Sequence, residues 1–347
     1  MIQEAIAKAV GGAHLGEEEM AAVMDQVMEG QATPAQIGAL LIALRMKGET
    51  VEEIAGAARV MRQKCKPVPC RCGLQEVLVD TCGTGGDGAH TFNVSTTAAF
   101  VVAGAGARVA KHGNRSVSSR CGSADLMEAL GIPLDLTPEQ VGACVDEVGI
   151  GFLFAPLLHQ AMRHAIGPRR EIGLRTIFNL LGPLTNPAGA TAQVLGVYDP
   201  ALVTPLARVL GRLGCRQALV VHGPGGLDEI SSTGPTQAAH LKDGQVSGLT
   251  ITPEELGLRR AMPQELTGGD AAQNAGIALA VLAGEPGACR DTVLMNAGAA
   301  LMVAGRAADL AEGLKQAAAA IDSGAALAKL DALRQAARLA AGQEGRA

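Results

Sequence analysis

The densest run of residues suited to chemistry is Asp80-Thr81-Cys82-Gly83-Thr84-Gly85-Gly86-Asp87-Gly88. It follows Val77-Leu78-Val79, which reads as a buried strand, so the run reads as a turn at a strand end. Gly83, Gly85 and Gly88 match G-x-G-x-x-G, which in a dinucleotide fold is followed by an acidic residue about 20 positions on. No Asp or Glu occurs from Gly88 to Ala124, so the nicotinamide reading fails. No Lys-Ser/Thr closes the loop, so a P-loop fails too. What remains is an ordinary strand-to-helix turn or a turn whose N–H groups line a polyanion. Four glycines between 83 and 88 favour the second.

The acid-free stretch carries Arg108, Lys111, Arg115 and Arg120, a local positive field in a chain of net charge −5. Within it, Thr91-Phe92-Asn93-Val94-Ser95-Thr96-Thr97 leads into an apolar helix. Asn93 is a candidate N-cap, and Ser95 and Thr96 fall in the first turn. Such a terminus either caps itself or holds a phosphate, and the sequence leaves both open. Lys111-His112-Gly113-Asn114-Arg115-Ser116-Val117-Ser118-Ser119 reads as a basic loop after a strand, at the sheet edge where ligands bind in open parallel sheets. His112 reads as a hydrogen-bonded structural histidine rather than a general base. Gly122-Ser123-Ala124-Asp125 caps a helix. After another strand, Asp228-Glu229 sits in a turn, where adjacent carboxylates can face one Mg²⁺. Alone such a pair is usually solvated; beside a polyanion site the metal role is favoured. The residues together imply Mg²⁺-dependent phosphate-ester or diphosphate chemistry.

The elements that must position these residues fall into two kinds. Residues 1–64 read as helices: Met20, Val23, Met24 and Val27 share one face, and Gln36 to Leu44 is nearly all apolar. Thr33 is a candidate N-cap with Pro34 behind it, Gly48 ends that helix, and Thr50 with Glu53 forms a capping box. Beyond a loop at Pro67, Pro69 and Gly73 the pattern alternates. Val77–Val79, Arg108–Ala110 and Ala218–Val221 read as strands, and Ala98–Ala103, Leu126–Leu130 and Gly313–Gly342 as helix. The expected fold is α/β: a small all-helical N-terminal domain, residues 1–72, and a large α/β domain with a mostly parallel central sheet, residues 73–347.

Composition narrows the function. The chain has 347 residues, 48% hydrophobic and 18% charged, enough for a large core. Net charge −5 argues against a nucleic-acid face, and six aromatic residues (five Phe, Tyr198) cannot build a stacking platform. No signal peptide and no apolar run of ~18–20 residues is visible, so a cytoplasmic protein without a membrane span is expected. Cys144, Cys215 and Cys289 read as core thiols, and Cys65-x4-Cys70-x-Cys72 as loop thiols rather than a zinc site.

The segments around Gly83–Asp87, Thr91–Thr96, Lys111–Arg115, Gly122–Asp125, Arg175–Pro187 and Gly226–Glu229 occur in the order found in anthranilate phosphoribosyltransferases. The chain resembles that family over about residues 1–335. The resemblance implies Mg²⁺-dependent transfer of phosphoribosyl from 5-phosphoribosyl 1-diphosphate (PRPP) to the amino group of anthranilate, with diphosphate released. It implies that part of 161–192 packs on the helical domain, that this domain makes a homodimer, and that about two Mg²⁺ ions bind. By match, Gly83, Gly86, Asp87, Thr91, Asn93, Val94, Ser95, Thr96, Lys111 to Ser119 (Lys111, His112, Gly113, Asn114, Arg115, Ser116, Val117, Ser118, Ser119) and Ser123 contact PRPP. Gly83, Asn114 and Arg169 contact anthranilate, and Ser95, Asp228 and Glu229 hold metal. Lys111 and the metal would stabilise the leaving group. A pyrimidine nucleoside phosphorylase of the same fold differs at Lys111–Arg115. A nucleic-acid-binding relative would need a basic face.

Overall fold

The computed structural model describes residues 1–71, 76–86, 88–116 and 120–342. Four helices come first: α1 (Ile2–Val10), α2 (Glu17–Met28), α3 (Pro34–Lys47) and α4 (Val51–Lys64). The expected cap at Thr33 and the expected capping box at Thr50 both form, and Thr33 makes a capping box as well. Thr33 Oγ1 accepts from Gln36 N while the Gln36 side chain accepts from Thr33 N, and Thr50 and Glu53 do the same. α3 closes at Gly48.

The chain then alternates strand and helix: β1 (Leu78–Gly83), α5 (Val94–Gly104), β2 (Arg108–Gly113), α6 (Ser123–Ala129), α7 (Pro138–Glu147) and β3 (Ile150–Phe154). A helical excursion follows, α8 (Ala155–Leu158), α9 (Arg163–Ile172) and α10 (Ile177–Leu181). β4 (Ala192–Gly196), α11 (Val203–Arg212), β5 (Gln217–His222), β6 (Thr236–Lys242) and β7 (Gln245–Ile251) complete the sheet. Helices α12 (Ala271–Leu282), α13 (Ala288–Val303), α14 (Leu310–Asp322) and α15 (Ala325–Ala340) finish the chain.

The seven strands lie in the order β3-β2-β1-β4-β5-β6-β7, the first five parallel and the last two antiparallel. The expected mostly parallel sheet is therefore present. One face packs on α5 and α12 to α15 around Phe100, Leu301 and Leu330. The core on the other face runs from Leu195 and Val220 through α11, Ile177 and Leu181 into Leu40, Ile54 and Met24 of the first helices. α9 touches α2 and α3, and α10 touches α3 and α4, so the excursion does pack on the N-terminal helices. Arg62 ties the two parts, donating to the carbonyls of Leu184 at 2.7 Å and Leu213 at 2.8 Å.

Several elements depart from the sequence expectation. Lys111, His112 and Gly113 belong to β2, not to a loop. Their ladder with Phe152, Leu153 and Phe154 of β3 keeps the chain extended three residues further. β3, β4, β6 and β7 were not expected. β4 carries Gln193 at its centre, buried because its amide donates to Pro183 O at 2.6 Å. β6 and β7 join through Asp243-Gly244, both at positive φ, the backbone of a two-residue hairpin turn. The expected helix from Gly313 to Gly342 is two helices, broken where Gly324 adopts φ +77°. Cys289 is half-buried rather than core, while Cys144 and Cys215 are buried. Among the described residues no helix is long and apolar enough to cross a membrane.

Candidate functional site

Because β1, β2, β3, β4 and β5 are parallel, they end together at Gly83, Gly113, Phe154, Gly196 and His222, on one edge of the sheet. The Gly-rich turn, the loop after β2 and the loop after β5 all leave from that edge, where open α/β sheets bind ligands. The β5 loop folds back through a tight turn, Gly223 N donating to Leu227 O at 2.7 Å, and lays Asp228 across the ends of β1 and β4. Here the glycines are obligatory. A Cβ on Gly196 would sit 1.5 Å from Asp228 O, and one on Gly83 would sit 2.2 Å from Asp228 Oδ2.

Each carboxylate of the pair meets a different backbone donor. Asp228 Oδ2 accepts the N–H of Gly85 in the Gly-rich turn at 2.7 Å, and Glu229 Oε1 accepts the N–H of Ser95 in the first turn of α5 at 3.0 Å. The Ser95 hydroxyl also bonds Glu229. Thus the Gly-rich turn and the start of α5 each give a backbone N–H to one carboxylate of the adjacent pair. Thr96 Oγ1 beside them is buried without a hydrogen-bond partner among the described residues.

Beneath this pair lies Lys111. It is 2% exposed, and its ammonium donates to Thr81 O. Two buried carboxyls face it without ion-pairing contact. Asp80 is pushed up from its ordinary range by burial, against the pull of Lys111 and of the Asn186 amide at 2.8 Å. Glu229 is raised to about 8 by burial first and by Asp228 second. A buried carboxylate pair under a mutual repulsion takes a cation readily. The donors are all hard oxygens, Ser95, Asp228 and Glu229, which suits Mg²⁺ better than a softer metal. The residues present therefore fit that ion. Among the described residues no group of three or more His, Cys, Asp or Glu forms a metal site by itself, so such an ion would need ligands from the substrate or water.

The other predicted residues are partly brought in. Asn114 follows β2; Ser123 Oγ accepts its N–H at 3.1 Å and donates to its carbonyl at 3.2 Å. Asn93 starts α5 but does not cap it with its side chain, a correction to the expected cap. Its Nδ2 donates to Cys121 O at 3.1 Å and its Oδ1 accepts from Asn274 Nδ2 at 2.9 Å, partners with better reach than its own helix. Thr91 bridges Thr267 in an antiparallel pair. The positive field is smaller than the sequence implied. Arg108 pairs with Glu76 at 3.1 Å, and Arg115 with Asp125 at 2.9 Å and Glu128 at 2.5 Å. His112 is buried with its Nε2 3.2 Å from His159 Nε2, and burial lowers both, to about 3 and about 4. It is the structural histidine expected. Cys121 is packed, its thiol raised to about 11 by burial. Asp87, Val117, Ser118 and Ser119, and Cys72, lie outside the described residues.

Arg169 stands apart. It sits on α9 with its guanidinium 5.1 Å over the Phe178 ring, half-buried, its pKa lowered by burial, and no ion pair reaches it among the described residues. No hydrogen bond joins it to Gly83 or Asn114 among the described residues. Arg175, not singled out in the sequence as a site residue, does reach the turn: its Nη2 donates to Gly86 O while its guanidinium lies 4.1 Å over Tyr198. Asp80, Asn186, Asn274 and Asn296 were also missed individually; the sequence signal was only that they stand in or beside the polar runs, without partners named.

The helical bundle joined to an α/β sheet is the architecture of a glycosyl transferase family with a helical bundle domain and an a/b domain. The model for the glycosyl transferase family helical bundle domain matches residues 3–65, and that for its a/b domain matches residues 75–327. The chain is 58% identical over 344 residues, 96% of this chain and 99% of the relative, to the anthranilate phosphoribosyltransferase of Trichlorobacter lovleyi. It superposes on the crystal structure of that enzyme from Thermus thermophilus with TM-score 0.91, at 45% identity over 96% of this chain and 99% of the other. The Saccharomyces cerevisiae enzyme in complex with PRPP and Mg matches with TM-score 0.88, at 27% identity over 97% and 98%. The chain belongs to the anthranilate phosphoribosyltransferase family.

Proposed function

We propose that the protein transfers the 5-phosphoribosyl group of PRPP to the amino group of anthranilate, with Mg²⁺, at the sheet edge described above. The C1–O bond to diphosphate breaks, the C1–N bond forms, and the amine loses one proton. The observation that carries this reading is that the Gly85 N–H meets Asp228, the Ser95 N–H meets Glu229, and the charge of buried Lys111 acts on Glu229. Bound Mg²⁺ supplies charge neutralisation for the departing diphosphate. Ser95, Asp228 and Glu229 would hold it, with about two ions per site by resemblance.

The remaining roles are those that the family resemblance implies. Gly83, Gly86, Asp87 and Thr91 contact PRPP, and Asn93 to Thr96 hold phosphate, a role the unpartnered Thr96 hydroxyl supports. Lys111 adds positive charge beneath the leaving group. His112 and Gly113 contribute as strand backbone, and Asn114 to Ser119 with Ser123 contact PRPP. Gly83, Asn114 and Arg169 take anthranilate, Arg169 matching its carboxylate. The aniline nitrogen is neutral at neutral pH, so positioning and charge stabilisation suffice without a strong base. Arg169 lies on α9, which packs on the N-terminal helices, and Asn114 follows β2 of the sheet, so anthranilate would be held between that helical side and the sheet edge. A cytoplasmic homodimer through the helical domain completes the reading. The test is loss of anthranilate fluorescence with and without PRPP and Mg²⁺. Loss that requires both is expected; no loss with both present sinks the proposal.

A further inference from the structure

Two asparagines outside the proposed contact set are each only 2% exposed: Asn274 on α12 and Asn296 on α13. A buried amide is costly unless its donors and acceptor are met, so where these amides point is informative. Asn296 grips the backbone of Ile230, the residue after Glu229. Its Oδ1 accepts Ile230 N–H at 3.1 Å, and its Nδ2 donates to Ile230 O at 2.7 Å and to Thr292 O at 2.9 Å. Asn274 grips the other side. Its Oδ1 accepts Gly269 N–H at 2.7 Å and its Nδ2 donates to Asn93 Oδ1 at 2.9 Å. Asn93 passes the contact on to Cys121 O, one turn before Ser123. Gly268 N donates to His90 O at 2.9 Å and Phe92 N to Leu266 O at 3.1 Å, so the Asn274 loop and the segment before α5 are tied as one.

We propose that Asn274 and Asn296 are positioning residues with separate duties, Asn274 setting the phosphate side through Asn93 and Asn296 setting the metal side through the backbone next to Asp228–Glu229. The inference rests on the function proposed above. It differs from general core packing because Asn274 bonds Asn93 itself and Asn296 bonds both backbone groups of Ile230, the residue after Glu229, and neither amide bonds on the other side. Groups that orient ligand-holding residues typically alter metal affinity by about 10–100-fold when lost.

The experiment uses the full chain with Asn274→Leu and Asn296→Leu, which are near-isosteric and apolar, and with Asn274→Ala and Asn296→Ala as second variants. Mn²⁺ stands in for Mg²⁺ and is titrated by electron paramagnetic resonance in the presence of inorganic diphosphate. PRPP binding is measured by calorimetry at saturating Mg²⁺. Asn296 variants are expected to weaken Mn²⁺ about tenfold or more with PRPP affinity within about twofold of wild type. Asn274 variants are expected to weaken PRPP about tenfold or more with Mn²⁺ affinity within about twofold. Both affinities moving together in each variant, neither moving, or loss of fold in both variants at a position would overturn the assignment. Wild-type chain that binds both probes yet consumes no anthranilate would instead overturn the proposed reaction and leave the positioning intact.

Discussion

Two buried lysines divide the molecule. Lys47, at the end of α3, has a side chain 3% exposed and pairs with the fully buried Glu53 at 2.8 Å. Its ammonium also reaches Gly48 O at 2.8 Å and His14 Nδ1 at 3.0 Å. Glu53 accepts the N–H groups of Leu15 and Thr50, both at 2.8 Å. Burial pushes Glu53 up, but these bonds and Lys47 together hold it below its ordinary value. Lys111 is as deeply buried, yet it bonds a carbonyl, while the two carboxyls near it, Asp80 and Glu229, are both raised. The first charge is closed on itself and is a structural fastening. The second meets no carboxylate oxygen among the described residues, and a buried cation near raised carboxyls is the pattern of a site for a charged ligand.

The sharpest way to break this contrast is to remove each lysine. Lys47→Met strands a buried carboxylate and should cost about 3–5 kcal/mol of unfolding free energy, with turnover per folded molecule unchanged. Lys111→Met should lower kcat by about 10²–10³, the loss typical of one electrostatic stabiliser, with a much smaller change in stability. The small stability change follows because Asp80, already raised by burial, takes up a proton when the lysine leaves. Denaturant unfolding beside steady-state kinetics checks both; the opposite assignment of effects would dissolve the distinction.

The next test concerns the proposed anthranilate side. Arg169, like Lys111, carries a charge without a carboxylate partner among the described residues. Arg169→Ala should raise the anthranilate KM about tenfold or more while the PRPP KM moves within about twofold. Equal rises in both would remove Arg169 from the acceptor site and leave it as packing over Phe178.

What was legible in the sequence follows the range of the interaction that fixes it. Thr33 with Gln36 and Thr50 with Glu53 are bonded three residues apart, so their caps can be read in a line of letters. The Gly-rich turn was legible as chemistry from its glycine density, and the Asp228-Glu229 pair only in company with it, since such a pair alone is usually solvated. Their meeting was not, since Gly85 and Asp228 are 143 positions apart and only the strand order brings them together. Asn93 shows the same limit: its local motif predicts a cap, and distant Cys121 and Asn274 take its side chain instead. β4 was hidden by Gln193, whose buried amide is met by Pro183 O and the distant Cys82 Sγ. The β6–β7 hairpin did carry a local signal in Asp243-Gly244, which a closer reading of turn residues would have used.

A third buried group sharpens the contrast from the structural side. His112 and His159 are neutral, lowered to about 3 and about 4 by burial, against an ordinary 6.5. A base lowered by folding contributes stability that is complete above pH 6.5 and is lost as pH falls toward the folded values. Between pH 6.5 and 5 each histidine should remove about 2 kcal/mol of stability. His159→Gln should flatten that slope by about half, read from urea unfolding at each pH. An unchanged slope would mean that the pair does not carry the acid sensitivity.

Arg175 is the mildest case and the most discriminating, because it is charged and open like Lys111 but exposed. Its guanidinium rests 4.1 Å over Tyr198 and donates to Gly86 O, so it holds the Gly-rich turn from outside without lying under the leaving group. Gly86 itself is at φ +71°, a conformation that leaves its carbonyl to be fixed by such a partner. If burial is what gives Lys111 its weight, an exposed cation touching the same turn should matter far less. An exposed cation–π contact is worth about 0.5–1 kcal/mol and one hydrogen bond about as much. Arg175→Ala should therefore raise the PRPP KM only about three- to tenfold, with kcat close to wild type and unfolding free energy within about 0.5 kcal/mol. Arg175→Lys should recover little, since an ammonium does not stack flat on the ring while reaching the carbonyl. A fall in kcat as deep as that of Lys111→Met would show that the charge itself, and not its burial beneath the carboxylates, is what the site requires.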